Sequence, residues 1–86
     1  MNIYEQAIEK FGRDHQILKA VEELNELATA LLHFRQGKVG VIDVVGEIAD
    51  VEIMVEQLKL IFNKDLVNRC MTHKLERLNK TINETK

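Results

Sequence analysis

The 86-residue chain contains no proline and no tryptophan, only four glycines and a single cysteine. Because proline is absent and glycine is rare, long helices can run through most of the sequence. The single cysteine, Cys70, excludes an intrachain disulfide and is typical of a reducing cytosol, so we expect a cytoplasmic protein. The sequence shows no signal-peptide pattern and no apolar run near the roughly 20 residues that span a bilayer, so no membrane association is expected.

Dense positive charge and aromatic side chains are also missing. The formal net charge is −2, and aromatic residues make up 5% of the chain. Nucleic acids are bound through basic patches and, when single-stranded, through aromatic stacking, so we expect no nucleic-acid partner. Apolar residues at 45% and charged residues at 30% are the balance of a globular protein. A chain this short predicts one domain over residues 1–86.

Hydrophobic periodicity predicts an all-α fold of four helices, arranged as a bundle. The predicted helices run over residues 3–11, about 15–36, 41 or 42 to 62, and about 64–83. Gly12 ends the first helix, and Asp14 and Asn63 are N-cap candidates for the second and fourth. The segment Gly37–Gly40 is predicted to be a loop.

The third helix is apolar around most of its circumference. One apolar stripe contains Met54 and Leu58, and a second surface lies away from it. A helix of this kind is buried on most sides, and three neighbouring helices in a short chain can hardly cover it. The sequence therefore predicts a homo-oligomer, a dimer or a tetramer, with this helix near the interface. The second apolar surface is formed by Val45, Ala49, Ile53 and Leu60.

Two pairs of acidic residues, each spaced by three, are the main functional signal. Glu23 and Glu26 share a helix face with apolar residues of the second helix, and Glu47 and Asp50 do so on the third. Acids seldom occupy a core-facing stripe, because burying an unpaired charge is costly. Four inward carboxylates need a compensating cation, and an oxygen-only ligand set suits Mg²⁺ or, as a substitute, Mn²⁺.

An ion-pair interpretation competes with the metal site. In that interpretation the acids pair with Lys19, Lys74 or Arg77 and serve the structure only. In the metal interpretation the same cations contact a metal-bound di- or triphosphate, and Gln16 faces the same cavity. Cys70 and His73 have half of a zinc-site spacing, but without a second half we expect a buried cysteine beside a surface histidine.

The paired acids resemble the signature of MazG-like nucleoside triphosphate pyrophosphohydrolases, members of the all-α NTP pyrophosphatase superfamily. The resemblance rests on Glu23-x-x-Glu26 and, after a loop, Glu47-x-x-Asp50, and it covers about residues 11–77. It implies that these four acids bind Mg²⁺ and that (d)NTPs are cleaved between the α and β phosphates to a monophosphate and pyrophosphate, as in nucleotide-pool housekeeping. Other residues that fit the family are Phe11, Gly12, Gln16, Glu22, Ala49 and Val51.

The resemblance also implies roles for residues around the acids. Lys74 and Arg77 match basic positions that contact phosphate, and Glu22 would help to orient the attacking water. Two other functions stay open: a non-catalytic regulatory module that binds metal or nucleotide, and a purely structural helical oligomer. Few ring-containing side chains could stack on the base of a nucleotide; the candidates are Tyr4, Phe11 and His15.

Overall fold

The computed structural model describes residues 1–84, and these are helical apart from short connections. The helices are α1 (Ile3–Phe11), α2 (Arg13–Arg35), α3 (Val41–Phe62) and α4 (Lys64–Glu84). The all-α prediction is confirmed, and the predicted ends lie within two residues of the observed ones. None of these helices is long and apolar enough to cross a membrane.

Side-chain caps account for the first residues of α1 and α4. The Asn2 side chain accepts a hydrogen bond of 2.9 Å from the Glu5 backbone N–H, and the Glu5 carboxylate accepts one of 2.9 Å from Asn2, which forms a capping box at α1. Asn63 caps α4 by accepting from the Leu66 N–H at 3.0 Å, as predicted. Asp14 does not cap α2, because that helix already begins at Arg13, directly after Gly12.

Gly12 separates α1 from α2 with a single non-helical residue. Its φ of 94° and ψ of 152° lie in a region that residues with a Cβ rarely adopt, so glycine is required there. The chain turns sharply at this point, and α1 folds back to contact both α2 and α3.

The antiparallel pair α2–α3 is the centre of the molecule. A five-residue connection, residues 36–40, joins the two helices. Contacts run in opposite order along them, since Gln16 meets Gln57 whereas Glu23 approaches Glu47. The side chains at the centre of this contact are buried, and they include two glutamines: Gln16, Ala20, Met54 and Gln57.

The described chain is more extended than a compact domain of its length. Its radius of gyration is 16.0 Å, whereas a compact domain of 86 residues has about 12 Å. Within residues 1–84, α4 contacts only α3 and contains no buried residue. The fourth helix therefore adds little to the core of its own chain.

Candidate metal centre

Glu22, Glu23 and Glu26 form a group within one turn of α2. One carboxylate oxygen from each lies within 4.8 Å of the other two. Their exposure differs, because the Glu23 side chain turns towards α3 and is only 12% exposed, whereas that of Glu22 is 61% exposed. The predicted pair on this helix is thus accompanied by a third acid.

Glu47 and Asp50 on α3 approach the same Glu23. Oxygens from Glu23, Glu47 and Asp50 also lie within 4.8 Å of one another. Glu23 therefore belongs to both groups and links acids of two helices. Three of the four predicted acids therefore meet across the two helices, whereas Glu26 groups only with Glu22 and Glu23 on α2.

One oxygen of this cluster has no partner in the described chain. Glu47 Oε2 is fully buried and accepts no hydrogen bond. A buried carboxylate oxygen without a donor is costly, and binding to a cation removes that cost. The donor set consists of carboxylate oxygens alone, which is the chemistry that hard cations such as Mg²⁺ prefer. The residues therefore fit a divalent cation.

Electrostatic repulsion within the cluster is visible at Glu26. A hydrogen bond with Glu23 and the negative charge of that residue raise the pKa of Glu26 above its usual range, with smaller effects from partial burial and from Glu47 and Glu22. A proton held between two carboxylates is a typical response to crowded negative charge. The cluster thus attracts positive charge in its metal-free form.

Lys19 supplies one positive charge at the edge of the cluster. Its Nζ lies 3.3 Å from a carboxylate oxygen of Glu22 and 3.3 Å from one of Glu23. Hydrogen bonds with Glu22 and then Glu23, and their charges, raise the pKa of Lys19. A single exposed lysine does not balance five acids, so the ion-pair interpretation accounts for only part of the cluster.

An open groove of about 470 Å³ lies beside the acids, on the α2 side of the cluster. A volume of this size accommodates a small-molecule ligand. Besides the acids, its lining offers an amide, a hydroxyl and an imidazole, which sequence reasoning missed because the motif specifies only the acids: Asn25 is one of its unspecified positions, and Thr29 and His33 lie beyond it. The residues around the groove are Glu22, Asn25, Glu26, Thr29, His33 and Glu47, with Ala30 and Val39.

Gln16 lies in a buried polar contact and not in the groove. Its Nε2 donates to Gln57 Oε1 at 2.8 Å, and its Oε1 lies 2.7 Å from His15 Nδ1. Gln57 is 3% exposed and was not predicted, although it lies on the α3 face that contains Met54 and Asp50. The polar atoms of Gln16 are therefore used inside the fold, two turns before Glu23.

The basic residues of α4 are not brought to the acids. Lys74 lines an apolar groove at the α3–α4 junction, and Arg77 lines another groove on α4 alone. In the described part of the chain α4 has no contact with α2, so neither side chain shares the acidic groove. Their predicted role in phosphate binding stays a prediction.

Cys70 and His73 belong to neither group of potential metal ligands within residues 1–84. Cys70 is exposed, so the prediction that it is buried was wrong for this chain. The reason is that α4 packs against α3 only near their junction and leaves its sides open. Among the aromatic candidates, Phe11 stacks on His15 with ring centroids 5.6 Å apart, beside the Gln16 contact.

Comparisons of this chain with family models, with curated proteins and with solved structures find no match. The likeness to MazG-like enzymes therefore remains an interpretation of the motif.

Proposed function

We propose that the chain is a Mg²⁺-dependent nucleoside triphosphate pyrophosphohydrolase that acts as a cytoplasmic homo-oligomer. One observation carries the proposal. Oxygens of Glu23, Glu47 and Asp50, from two helices, lie within 4.8 Å of one another, and one Glu47 oxygen is buried without a hydrogen-bond donor. An arrangement of this kind is costly for the fold alone, and a functional cation explains its presence.

In this proposal the cation ligands come from Glu23, Glu26, Glu47 and Asp50, and Mn²⁺ can replace Mg²⁺. The bound ion supplies neutralisation of triphosphate charge and polarisation of a phosphoryl oxygen. The adjoining groove of about 470 Å³ receives the nucleotide, and its polar lining from α2 gives donors and acceptors for the sugar or base.

The exposed Glu22 is proposed to orient the attacking water. Lys19 contacts both Glu22 and Glu23 at 3.3 Å and thereby fixes Glu22 beside the ligand set. The water oxygen bonds to one phosphorus of the α–β anhydride, its proton passes to the adjacent Glu22 carboxylate, and the bond from that phosphorus to the bridging oxygen breaks. A nucleoside monophosphate and pyrophosphate are released. Lys74 and Arg77 are the proposed phosphate contacts of α4, although within residues 1–84 of their own chain they do not line the acidic groove.

The test is pyrophosphate release from a panel of (d)NTPs with Mg²⁺. We expect turnover by the wild type and its loss in Asp50→Asn, because that change removes an anionic ligand while preserving shape. Glu52→Gln is the matched control, since Glu52 is an exposed acid on α3 outside both acidic groups, and it should retain activity. Orthophosphate as the sole product would contradict the assigned cleavage position.

A non-catalytic module that binds metal or nucleotide is the second candidate. The observation that favours it is the lack of α4 basic residues around the acidic groove of the described chain. A module of this kind should be stabilised against thermal unfolding by Mg²⁺–nucleotide and should release no pyrophosphate from any member of the panel. Turnover that Asp50→Asn abolishes would exclude it.

A further inference from the structure

Two apolar stripes with heptad spacing lie outside the α2–α3 contact. On α2 the intervals between stripe residues are four, three, four and three, and on α3 they are four, three, four, three and four. Both stripes contain only apolar residues, and several are about half exposed, such as Leu24 at 48% and Ile48 at 42%. We call the two stripes together the apolar face. Its α2 members are Ile17, Val21, Leu24, Ala28 and Leu31, and its α3 members are Val44, Ile48, Val51, Val55, Leu58 and Phe62.

Both stripes lie on the same side of the helix pair. On α2 the stripe is rotated about 100° from the direction of Gln16, Ala20 and Glu23, which point at α3. On α3, Met54 and Gln57 point at α2, and the stripe is rotated about 100° from their direction. The sense of rotation is the same as on α2 when each helix is viewed from its own N-terminus. Because antiparallel helices are related by a twofold axis perpendicular to their plane, equal rotations lead to the same side.

The acidic groove lies on the opposite side of the pair. Glu22 and Glu26 are rotated about 100° from the α3-facing direction of α2 in the other sense. One side of the α2–α3 pair is therefore apolar, and the other contains the acids. The second apolar surface of α3 named in the sequence lies towards the acidic side, where α2 offers Lys19, Glu22 and Glu26 and forms no matching stripe.

The exposed surface of the chain is larger than that of a stable monomer of its mass. The accessible area is 6874 Å² for 9.9 kDa, whereas a compact monomer of this mass exposes about 5,200 Å². The excess is about 1,700 Å², and each partner of a standard protein interface buries about 800 Å². The chain thus has enough spare surface for a stable dimer interface, even with part of the excess on α4.

We propose that the apolar face is the dimer interface, covered by the same face of a second copy of this chain. Two α2–α3 pairs stacked face to face form a four-helix bundle, and heptad spacing on all four helices provides the side-chain layers that this packing needs. An uncharged face is compatible with its own copy, and a twofold interface is the commonest soluble assembly. The inference specifies the homo-oligomer of the proposed function and does not depend on catalysis.

Analytical ultracentrifugation of purified protein tests the proposal. The wild type should sediment at twice the 9.9 kDa chain mass, or at four times if dimers pair further. Leu24→Asp and Ile48→Asp should each halve the assembly or reduce it to single chains, with helical circular dichroism retained. Leu18→Asp and Ile42→Asp are matched controls, because both residues are at least as exposed but lie off the face, and they should keep the wild-type mass.

A second measurement needs no substitution. In a mixture of ¹³C-labelled and unlabelled wild-type chains, intermolecular NOEs should arise from methyl groups of Leu24 and Val51 and not from Ile42. A wild type that sediments as a single chain would overturn the proposal. So would an unchanged mass of Leu24→Asp and Ile48→Asp, or intermolecular NOEs that arise from Ile42 or Ile53 and not from residues of the apolar face. If the wild type is a dimer but releases no pyrophosphate, the proposed activity is refuted and the proposed interface is not.

Discussion

Replacing Glu47 by glutamine tests the metal centre most directly. The change keeps the shape of the side chain, removes one negative charge and provides an N–H donor beside Glu23 and Asp50. In the wild type one Glu47 oxygen is buried and accepts no hydrogen bond, and its carboxylate lies within 4.8 Å of both neighbours. Without metal the substitution should therefore stabilise the fold.

The expected size follows from the distances. Two unit charges 4.8 Å apart repel by about 1 kcal/mol in water and by about 3 kcal/mol at the effective dielectric near a protein surface. Because Asp50 is exposed and one acid can take up a proton, we expect a gain of about 1–2 kcal/mol, which raises Tm by about 4–16 °C in a domain of this size. With Mg²⁺ at 100 times its Kd, the wild type should gain about 2.7 kcal/mol, and Glu47→Gln much less.

The assay is thermal unfolding followed by circular dichroism, at one protein concentration, in EDTA and in Mg²⁺. Glu47→Gln should melt above the wild type in EDTA and below it in Mg²⁺, whereas the Glu52→Gln control should follow the wild type in both. A lower Tm for Glu47→Gln in EDTA would mean that the carboxylate already has a cationic partner, as the structural ion-pair interpretation requires. Equal stabilisation of both proteins by Mg²⁺ would also refute the metal centre.

Three further outcomes follow from the structure. The hydrogen bond with Glu23 and the charge of Glu23 raise the pKa of Glu26, so as pH falls the native state binds a proton before the unfolded chain does. In thermal unfolding with EDTA, the stability of the wild type should therefore rise as pH falls from neutral towards 4.5, the ordinary pKa of a glutamate, and Glu26→Gln should flatten this slope. In urea unfolding, Gln57→Leu should cost about 1–3 kcal/mol because it strands the Gln16 amide, and adding Gln16→Leu should cost less than the sum of the two single changes. Gly12→Ala should lower Tm because its φ is 94°, whereas Gly46→Ala, within α3 and with open space at its Cβ, should stabilise by about 0.5–1 kcal/mol.

The fold was predictable because local signals and periodicity agree in this sequence. Gly12 marks the turn after α1, and Asn63 marks the start of α4, since each satisfies a requirement of the backbone at that position. Convergence of Glu23, Glu47 and Asp50 was also predictable, because acids on the apolar stripes of consecutive antiparallel helices must face each other. Spacing alone was enough for these features.

Features that depend on how whole helices pack were not predictable from spacing. The exposure of Cys70 follows from the position of α4, which no local signal sets. The contact between Gln16 and Gln57 joins residues 41 positions apart, and a lone glutamine on either helix indicates an ordinary polar surface. Asn25 and His33 enter the groove only because the α2–α3 pair leaves that side open.

The acidic side and the apolar side of the α2–α3 pair act on the same contact between two helices. Glu23 of α2 repels Glu47 and Asp50 of α3 across the contact between the helices, and within residues 1–84 that contact buries few side chains. If both proposals hold, a cation on the acidic side and a second copy on the apolar side would both draw α2 and α3 together. Because each acts on the same helix pair from opposite sides, metal binding and assembly are expected to favour one another. A chain of 86 residues would in this way hold five acids close together without a large core of its own.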